Sequence, residues 1–180
     1  MKTNITYHRA STDEELNQIL KLQKDNLPQK LSVSEKENEG FVTVHHTFEV
    51  LKGMHNVCPH IIAKHNNTVI GYALSMTTDF KTKIPVLAPM FLEIESVISK
   101  NTSYIIMGQI CISKTYRKQG VFRGLYQFMS QELKHEFNTI ITEVDAKNTR
   151  SLHAHKAIGF KNLKRYNSQN QLWEIMSLEL

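Results

Sequence analysis

An apolar segment of nine residues, Tyr104 to Ile112, constrains the fold of this chain more than any other feature, with the letters YIIMGQICI. Such a nearly continuous apolar run is typical of a strand that is buried on both faces. After a polar connection, apolar residues recur at helical spacing from Val121 to about Phe137. We therefore expect a strand in the middle of a sheet, followed by an amphipathic helix.

The rest of the chain continues this mixture of predicted strands and helices. It contains no internal repeat and no Pro- or Gly-rich linker, which favours a single domain over residues 1–180. Before the central strand, the predicted elements are a strand at Thr3 to Arg9, a helix from Ser11 ended by Pro28, and a weakly helical stretch from Leu31 to Asn56 that Gly40 and Gly53 interrupt. A hairpin of strands His60 to Lys64 and Thr68 to Met76, turning at His65-Asn66-Asn67, and a short helix at Met90 to Val97 follow. After the central strand and its helix come a strand at Thr139 to Val144, a helix at Asn148 to Ile158, and two final strands after Gly159.

Composition favours a compact domain. Of 180 residues, 41% are hydrophobic and 22% are charged, which suits a chain with its own core. No apolar run reaches the roughly 18 residues of a membrane-spanning helix, and the first residues do not resemble a secretory signal. The only cysteines are Cys58 and Cys111, so we expect no disulfide framework. We expect a cytoplasmic protein without membrane contact.

The net charge of the chain is compatible with several classes of binding partner. A net charge of +5 and a pI of about 9.1 would suit a nucleic acid, an anionic cofactor or an acidic substrate. The 22 basic residues are scattered among 17 acidic ones without a long basic block. This pattern favours ordinary solvated surface over a nucleic-acid interface.

A loose group of His55, Cys58, His60 and His65 raises the question of a metal site. Its spacing matches no established zinc pattern. Alternation along a strand would also place His60 and His65 on opposite faces. We therefore predict no metal site.

The polar connection from Ser113 to Gly124 is a basic, glycine-containing turn between strand and helix. Backbone N–H groups at a helix start are unpaired and favour an anion. Gly120 would let the main chain approach that anion, and Arg117 and Lys118 add positive charge. A pyrophosphate fits this chemistry. Equally, Gly120 could serve only a sharp turn, with the basic residues solvated.

This segment, ICISKTYRKQGVFRGLY, resembles the cofactor-binding segment of the GNAT superfamily of acyl-CoA N-acyltransferases. The family pattern is Arg or Gln, two residues, Gly, one residue, then Gly or Ala. The stretch from Arg117 to Gly120 matches it, whereas Phe122 stands where the family has Gly or Ala.

A second similarity follows about thirty residues later, in NTRSLHAHKAIGF from Asn148 to Phe160. It resembles the family's pattern of Asn, then Ala or Ser, then Tyr, then Gly-Phe. The resemblance implies a GNAT fold of mixed α/β class. Its sheet would be mostly antiparallel, with about seven strands splayed open beside Tyr104 to Ile112 and about four flanking helices.

The resemblance also implies direct transfer of the acetyl group of acetyl-CoA to a primary amine, without a metal. Main-chain groups of Ile110 and Ile112 would pair with the pantetheine arm, and the loop from Arg117 to Phe122 would hold the pyrophosphate. The residues implied in cofactor binding are Ile110, Ile112, Arg117, Lys118, Gln119, Gly120, Val121, Phe122, Asn148 and Ser151.

His155 occupies the position at which the family usually has a tyrosine that protonates the leaving thiolate. Asn148, Ser151, Leu152 and His155 have the spacing of one helix face, which would line the cleft. A charged histidine is a good proton donor, so His155 is a candidate general acid whose activity would fall as the pH rises through its pKa. The alternative is a hydrogen-bonded packing histidine.

The general base stays open. Gln109, Glu143, His45 and His46 are candidates, as is a relayed water. Cys111 is predicted to be a buried apolar side chain, because direct transfer needs no covalent intermediate.

Three further questions stay open at this stage. A non-catalytic module that binds CoA, a partner or nucleic acid is the alternative function. The acceptor amine, a small molecule, an amino acid or a peptide terminus, would be selected by Leu31 to Asn56 and Phe80 to Asn101. A homodimer is possible if the C-terminal strand QLWEIMSLEL lies at a sheet edge.

Overall fold

The computed structural model describes residues 4–30, 42 and 44–180. The strands are β1 Ile5–Arg9, β2 Ile61–His65, β3 Thr68–Met76, β4 Tyr104–Ile112, β5 Thr139–Asp145, β6 Lys161–Ser168 and β7 Gln171–Glu179. The α-helices in these ranges are α1 Asp13–Asp25, α2 Phe48–Val57, α3 Ala88–Glu95, α4 Val121–Leu133 and α5 Thr149–Lys156. Short 3-10 turns lie at Pro28–Lys30, Thr78–Phe80, Pro85–Leu87 and Lys114–Tyr116.

All seven strands form one mixed sheet in the order β1-β2-β3-β4-β5-β7-β6. Every neighbouring pair is antiparallel except β4 and β5, which run parallel. The expected mixed α/β fold class is therefore confirmed. Strand β7 lies between β5 and β6, so the C-terminal strand is not at an edge and cannot offer its backbone to a second copy.

The sequence located most elements to within a few residues, with a correction at α2. Helix α1 begins within the segment expected to cap it, Ser11 to Glu15. Thr12 is its N-cap, because the Thr12 hydroxyl accepts a hydrogen bond from the Glu15 N–H and the Glu15 carboxylate accepts one from the Thr12 N–H. Gly53 lies inside α2 and does not interrupt it. The described residues contain five helices where about four were expected, and the predictions for residues 1–3, 31–41 and 43 lie outside the described part.

The hydrophobic core occupies both faces of the sheet. On one face, α1 and α2 pack against β3, with Leu16 and Leu51 fully buried. On the other face, α4 packs across β1, β2 and β3, with Leu125 and Met129 fully buried. Burying such side chains stabilises the fold by about 1.5–3 kcal/mol each. In the described part of the chain, no segment qualifies as a membrane-spanning helix.

The sheet divides where β4 and β5 part. Their parallel pairing covers only Tyr104–Ile106 against Thr139–Ile141. Where the backbone pairing ends, the Thr142 hydroxyl donates a hydrogen bond of 3.0 Å to the Met107 carbonyl. Beyond this point the two strands share no ladder, which forms the splay that the family resemblance implied.

A β-bulge in β4 accompanies the division. Ala73 of β3 pairs with Ile110, but Ser75 pairs with Met107, so β4 carries one extra residue between these pairs. The strand is buried from Ile105 to Met107, whereas Gly108 is exposed. The prediction of burial on both faces is therefore correct only for the first half of β4.

Helix α4 contains Gly124 at a point of close contact with β1. A Cβ atom added to Gly124 would lie 2.1 Å from Oη and 2.2 Å from Cζ of Tyr7. Carbon and oxygen atoms that are not bonded do not approach this closely. The helix therefore needs glycine here so that the ring of Tyr7 can cross it.

We predict that Gly124→Ala lowers the free energy of unfolding by about 1–3 kcal/mol, because it overpacks this contact. In a Tyr7→Ala background the same change should instead raise stability by up to about 1 kcal/mol, because alanine favours helix over glycine. Urea denaturation of the four proteins of this double-mutant cycle measures the coupling. Additive effects of the two changes would contradict the contact.

Candidate functional site

Two adjoining cavities follow the division of the sheet. The larger one, of about 360 Å³, lies between the β3 side and the β5 to β7 side of the sheet, above the bulged half of β4. The smaller one, of about 230 Å³, reaches the turn before α4. The residues that line both are Val42, Ile110, Asn148 and Ser151. The two cavities therefore form one cleft that runs through the gap between β4 and β5.

The turn between β4 and α4 has the backbone of an anion site. Lys118 has φ of 61° and Gly120 has φ of 82°, so both are left-handed. A lysine in this conformation is strained, which is typical of functional loops. A Cβ atom on Gly120 would meet no atom within 4 Å, so this glycine faces open space. Since Gly120 is the N-cap of α4, the first N–H groups of that helix begin here without helical partners.

Arg117 lies between the turn and α1. Its Nε donates a hydrogen bond of 3.2 Å to the carbonyl of Ile112, and its Nη2 donates one of 2.7 Å to Oδ1 of Asn26. Asn26 is buried and is the C-cap of α1. The guanidinium therefore helps to shape the turn and joins it to α1. No sequence pattern singled out Asn26, because its partner lies 91 residues away.

The exposed edge of β4 faces the gap with the main chain of Ile110 and Ile112. The N–H of Ser113 bonds to the carbonyl of Ile70 in β3. Because main-chain groups alternate in direction along a strand, Ser113 and Cys111 point toward β3, and Ile110 and Ile112 point away from it. The two residues named from the family resemblance therefore present their backbone to the cleft.

The start of α5 also borders the cleft. Asn148 is the N-cap of α5, and its side chain accepts a hydrogen bond of 3.1 Å from the Ser151 N–H. Asn148, Ser151 and His155 line the larger cavity. Leu152 was expected on the same face, but it is buried in the core and does not line either cavity. Only part of the predicted face therefore borders the cleft, and the rest packs into the core.

His155 is almost completely buried, at 1% exposure. Its Nδ1 lies 2.7 Å from the carbonyl oxygen of Ser151, which can only accept, so Nδ1 carries the proton. Its Nε2 therefore accepts the hydrogen bond of 2.8 Å from the Tyr126 hydroxyl. Burial lowers the pKa of His155 to about 4. At pH 7 about one molecule in a thousand would carry the imidazolium.

Phe122 packs directly on His155. Their ring centroids lie 5.1 Å apart at an angle of 86°. Tyr126 and Phe160 complete a cluster of edge-to-face rings. The two positions at which the sequence departs from the family pattern are therefore in contact, and the phenylalanine helps to exclude water from the histidine. This geometry favours the packing interpretation of His155, and the general-acid hypothesis stays a prediction.

Glu143 of β5 has a pKa well above the ordinary value of a glutamate. It lines the larger cavity and accepts a short hydrogen bond from the Tyr166 hydroxyl of β6. Burial raises the pKa of Glu143 to about 7, although the hydrogen bond from Tyr166 opposes this effect. A carboxyl group of this pKa takes up and releases protons near neutral pH.

The other candidate bases have different surroundings. Gln109 lies in the bulge region, accepts a hydrogen bond of 2.5 Å from the Tyr72 hydroxyl and donates one of 2.8 Å to the carbonyl of Val44. It is an amide and connects β3, β4 and the segment before α2. His46 is held by Gln23, and burial lowers its pKa to about 4. His45 is exposed and does not line either cavity.

The cysteines and the other histidines occupy separate places. Cys111 is buried, and burial raises its pKa to about 12, as expected of an apolar packing residue. His60 accepts the Ser75 N–H at Nδ1 and donates to the Leu51 carbonyl. His65 contacts the Tyr116 hydroxyl. Within the described residues, no group of three or more His, Cys, Asp or Glu side chains converges on one point.

The comparisons with known proteins agree with this geometry. The family model described as Acetyltransferase (GNAT) family matches residues 16–160. This chain belongs to the GNAT acetyltransferase family. No curated protein matches it in sequence.

Solved structures similar to this chain share its fold. The ribosomal-protein-S18-alanine N-acetyltransferase of Escherichia coli has 14% identity and a TM-score of 0.66, over 98% of this chain and 94% of that one. Arabidopsis thaliana NAA60, solved in complex with acetyl-CoA, has 13% identity and a TM-score of 0.69, over 98% and 100%. An N-acetyltransferase from Staphylococcus aureus Mu50 has 20% identity and a TM-score of 0.64, over 98% of each.

We predict that His155→Phe makes the fold less sensitive to acid. The pKa of His155 is about 4 in the folded protein, below its ordinary value of 6.5, so the unfolded chain takes up the proton first as the pH falls. From this group alone the wild type loses up to about 3 kcal/mol of stability between pH 6.5 and pH 4.

The measurement is the difference in unfolding free energy between variant and wild type at pH 7.5 and at pH 4.5. Loss of the hydrogen bond to Tyr126 lowers the stability of the variant equally at both pH values. The unfolding free energy of the variant relative to that of the wild type should therefore be higher at pH 4.5 than at pH 7.5. An unchanged difference would show that His155 is not held neutral.

Proposed function

We propose that this protein transfers the acetyl group of acetyl-CoA directly to a primary amine. The observation that carries the proposal is the continuous cleft, which joins the gap between β4 and β5 to the turn before α4. Its parts suit the cofactor in order: a strand edge for the amides of pantetheine, then a glycine turn and helix start for the pyrophosphate. The family membership supports the same cofactor.

Ile110 and Ile112 would hold the pantetheine arm through their main chain. The N–H groups around Lys118, Gln119, Gly120, Val121 and Phe122 would hold the pyrophosphate, with Arg117 keeping the turn in shape. Asn148 and Ser151 would border the arm on the α5 side. Because most of these contacts are main-chain contacts, replacing the side chain of Lys118 or Gln119 should weaken binding only slightly.

In the transfer step the nitrogen–carbon bond forms, the carbon–sulfur bond breaks, and the amine loses a proton. We propose that the Glu143 carboxylate accepts this proton, since Glu143 lines the larger cavity and its pKa is about 7. The departing sulfur needs a proton in turn. His155 is the candidate from the family pattern, and solvent at the open cleft is the other source. The proposed reaction needs no metal, and the cytoplasmic location stays a prediction.

Calorimetric titration with acetyl-CoA, free CoA and a nucleotide control tests the cofactor assignment. We predict that both CoA forms bind and that Gly120→Ala weakens both about tenfold, because a side chain at positive φ strains the turn by about 1–2 kcal/mol and enters the open space. Gly159→Ala is the matched control, since Gly159 also has positive φ, at 108°, but lies after α5. Equal binding by the two variants would exclude the turn as the pyrophosphate site.

We predict that kcat/KM of the wild type rises with pH up to about 7 and then levels, because Glu143 must be ionised to accept a proton. Glu143→Gln should remove this rise and lower kcat by about 100-fold. Asp145→Asn, two residues further along β5, should keep the rise. A Glu143→Gln profile with the same rise would assign it to the ionisation of the acceptor. His155→Phe, measured beside them, should keep most of the turnover unless His155 is the general acid.

The second candidate is a non-catalytic domain that binds CoA, a partner or nucleic acid. The burial of His155 and the bulk of Phe122 favour it. Binding of acetyl-CoA without turnover on any amine of a broad panel would support a CoA sensor. Binding of nucleic acid that falls steeply with salt would support the other version.

A further inference from the structure

The larger cavity has two unlike sides. On the side of α2, β3 and α3 it is lined by apolar side chains, among them Val44, Met54, Met76, Ile84, Val86 and Met90. Three of these six are methionines, whose flexible thioethers adapt to apolar groups of different shape. The opposite side carries Glu143, Asp145 and the polar residues Ser168, Gln169 and Gln171 of the β6–β7 turn.

The charged residues that line this cavity, among those that the structure describes, are both acidic. Glu143 and Asp145 supply carboxyl groups, and none of the described residues that line the cavity is a lysine or an arginine. The two histidines in the lining, His46 and His155, are neutral at pH 7 because burial lowers the pKa of each to about 4. A carboxylate or phosphate on the acceptor would therefore lose water here without gaining a counter-ion.

We propose that the acceptor is a primary amine on a hydrophobic carbon skeleton with no carboxylate near the amine. The inference rests on the proposed acetyl transfer and names its substrate class. The amine lies toward Glu143, and the hydrocarbon group lies against the methionine side of the larger cavity. Free amino acids and phosphorylated amines are rejected by the uncompensated negative charge.

Pairs of similar amines test separately whether the acceptor must lack a carboxylate and whether it must carry a hydrocarbon group. Leucinamide and leucine share the side chain but carry a neutral amide and a carboxylate, respectively, beside the amine. Because the carboxylate also raises the pKa of the amine, their rates are compared per concentration of unprotonated amine. Leucinamide and glycinamide differ in the hydrocarbon side chain. We expect kcat/KM for leucinamide to exceed that for leucine by about 50-fold or more, from the unpaired carboxylate, and that for glycinamide by about tenfold or more, from burial of the side chain.

Two further substrates distinguish a small hydrophobic amine from the terminus of a polypeptide. The amine 3-methylbutylamine carries the leucine side chain without a carbonyl group, and a short peptide beginning with leucine carries a following chain. Preference for the peptide would identify a polypeptide terminus as the source, and preference for 3-methylbutylamine would identify a small alkylamine. Either preference supports the hydrophobic class.

A single added charge tests the mechanism of rejection. Val86 lines the larger cavity and is 56% exposed, so Val86→Lys should fold normally. It should raise the ratio of kcat/KM for leucine to that for leucinamide by up to about fivefold, since it adds a positive charge to a cavity whose charged lining residues, among those described, are acids. Val97→Lys is the matched control, because Val97 is 41% exposed just after α3 and outside the cavity lining. It should leave the ratio unchanged.

The outcomes separate this inference from the function on which it depends. If acetyl-CoA binds but no amine is acetylated, the proposed function fails. If leucine or glycinamide is acetylated as well as leucinamide, acetyl transfer stands and the proposed class is wrong. An unchanged ratio in Val86→Lys would likewise overturn the electrostatic part of the inference.

Discussion

The cleft depends on one constraint, the early end of the pairing between β4 and β5. After Ile106 and Ile141 the strands no longer form a ladder, and the Thr142 hydroxyl closes the junction by bonding to Met107. Unpaired backbone groups in a buried strand are costly unless something else satisfies them. The bulge in β4 exposes these groups to a cleft, where water or a bound molecule can pair with them. The fold therefore leaves backbone N–H and C=O groups of β4 available for hydrogen bonds where the proposed cofactor would lie.

Two side-chain hydrogen bonds connect the β4 side of the cleft to segments that are distant in the chain. Arg117 joins the turn before α4 to Asn26 at the end of α1. Gln109 joins the bulge to Val44, in the segment that leads into α2. The first bond joins two residues that line the smaller cavity, and the second joins two that line the larger one. The bond from Arg117 to Asn26 is half-buried, so it is better shielded from competition with water than the bond from Gln109 to Val44, which is exposed.

The aromatic cluster around His155 connects the two residues that depart from the family pattern, because Phe122 packs on the ring of His155. A histidine beside solvent would be a titrating group near neutral pH. Here Phe122, Tyr126 and Phe160 surround the ring and hold it neutral. Glu143 has the opposite character, because burial raises its pKa to about 7 and the Tyr166 hydroxyl holds its carboxylate in place. The two groups of the site with strongly altered pKa values therefore lie on neighbouring elements, and burial lowers the pKa of His155 but raises that of Glu143.

The sequence alone determined the central strand, the hairpin at Asn66, the turn at Gly120 and the family, because these depend on periodicity, backbone conformation and motifs of a few neighbouring residues. It named His155 as a candidate general acid and Glu143 as one of several candidate bases, without indicating the pKa of either. Only the tertiary structure decided that β7 is internal, that Leu152 belongs to the core, that His155 is buried by Phe122, and that Asn26 holds Arg117. The physical reason is that burial, pKa and cavity charge come from side chains far apart in the chain, whose meeting no local pattern records.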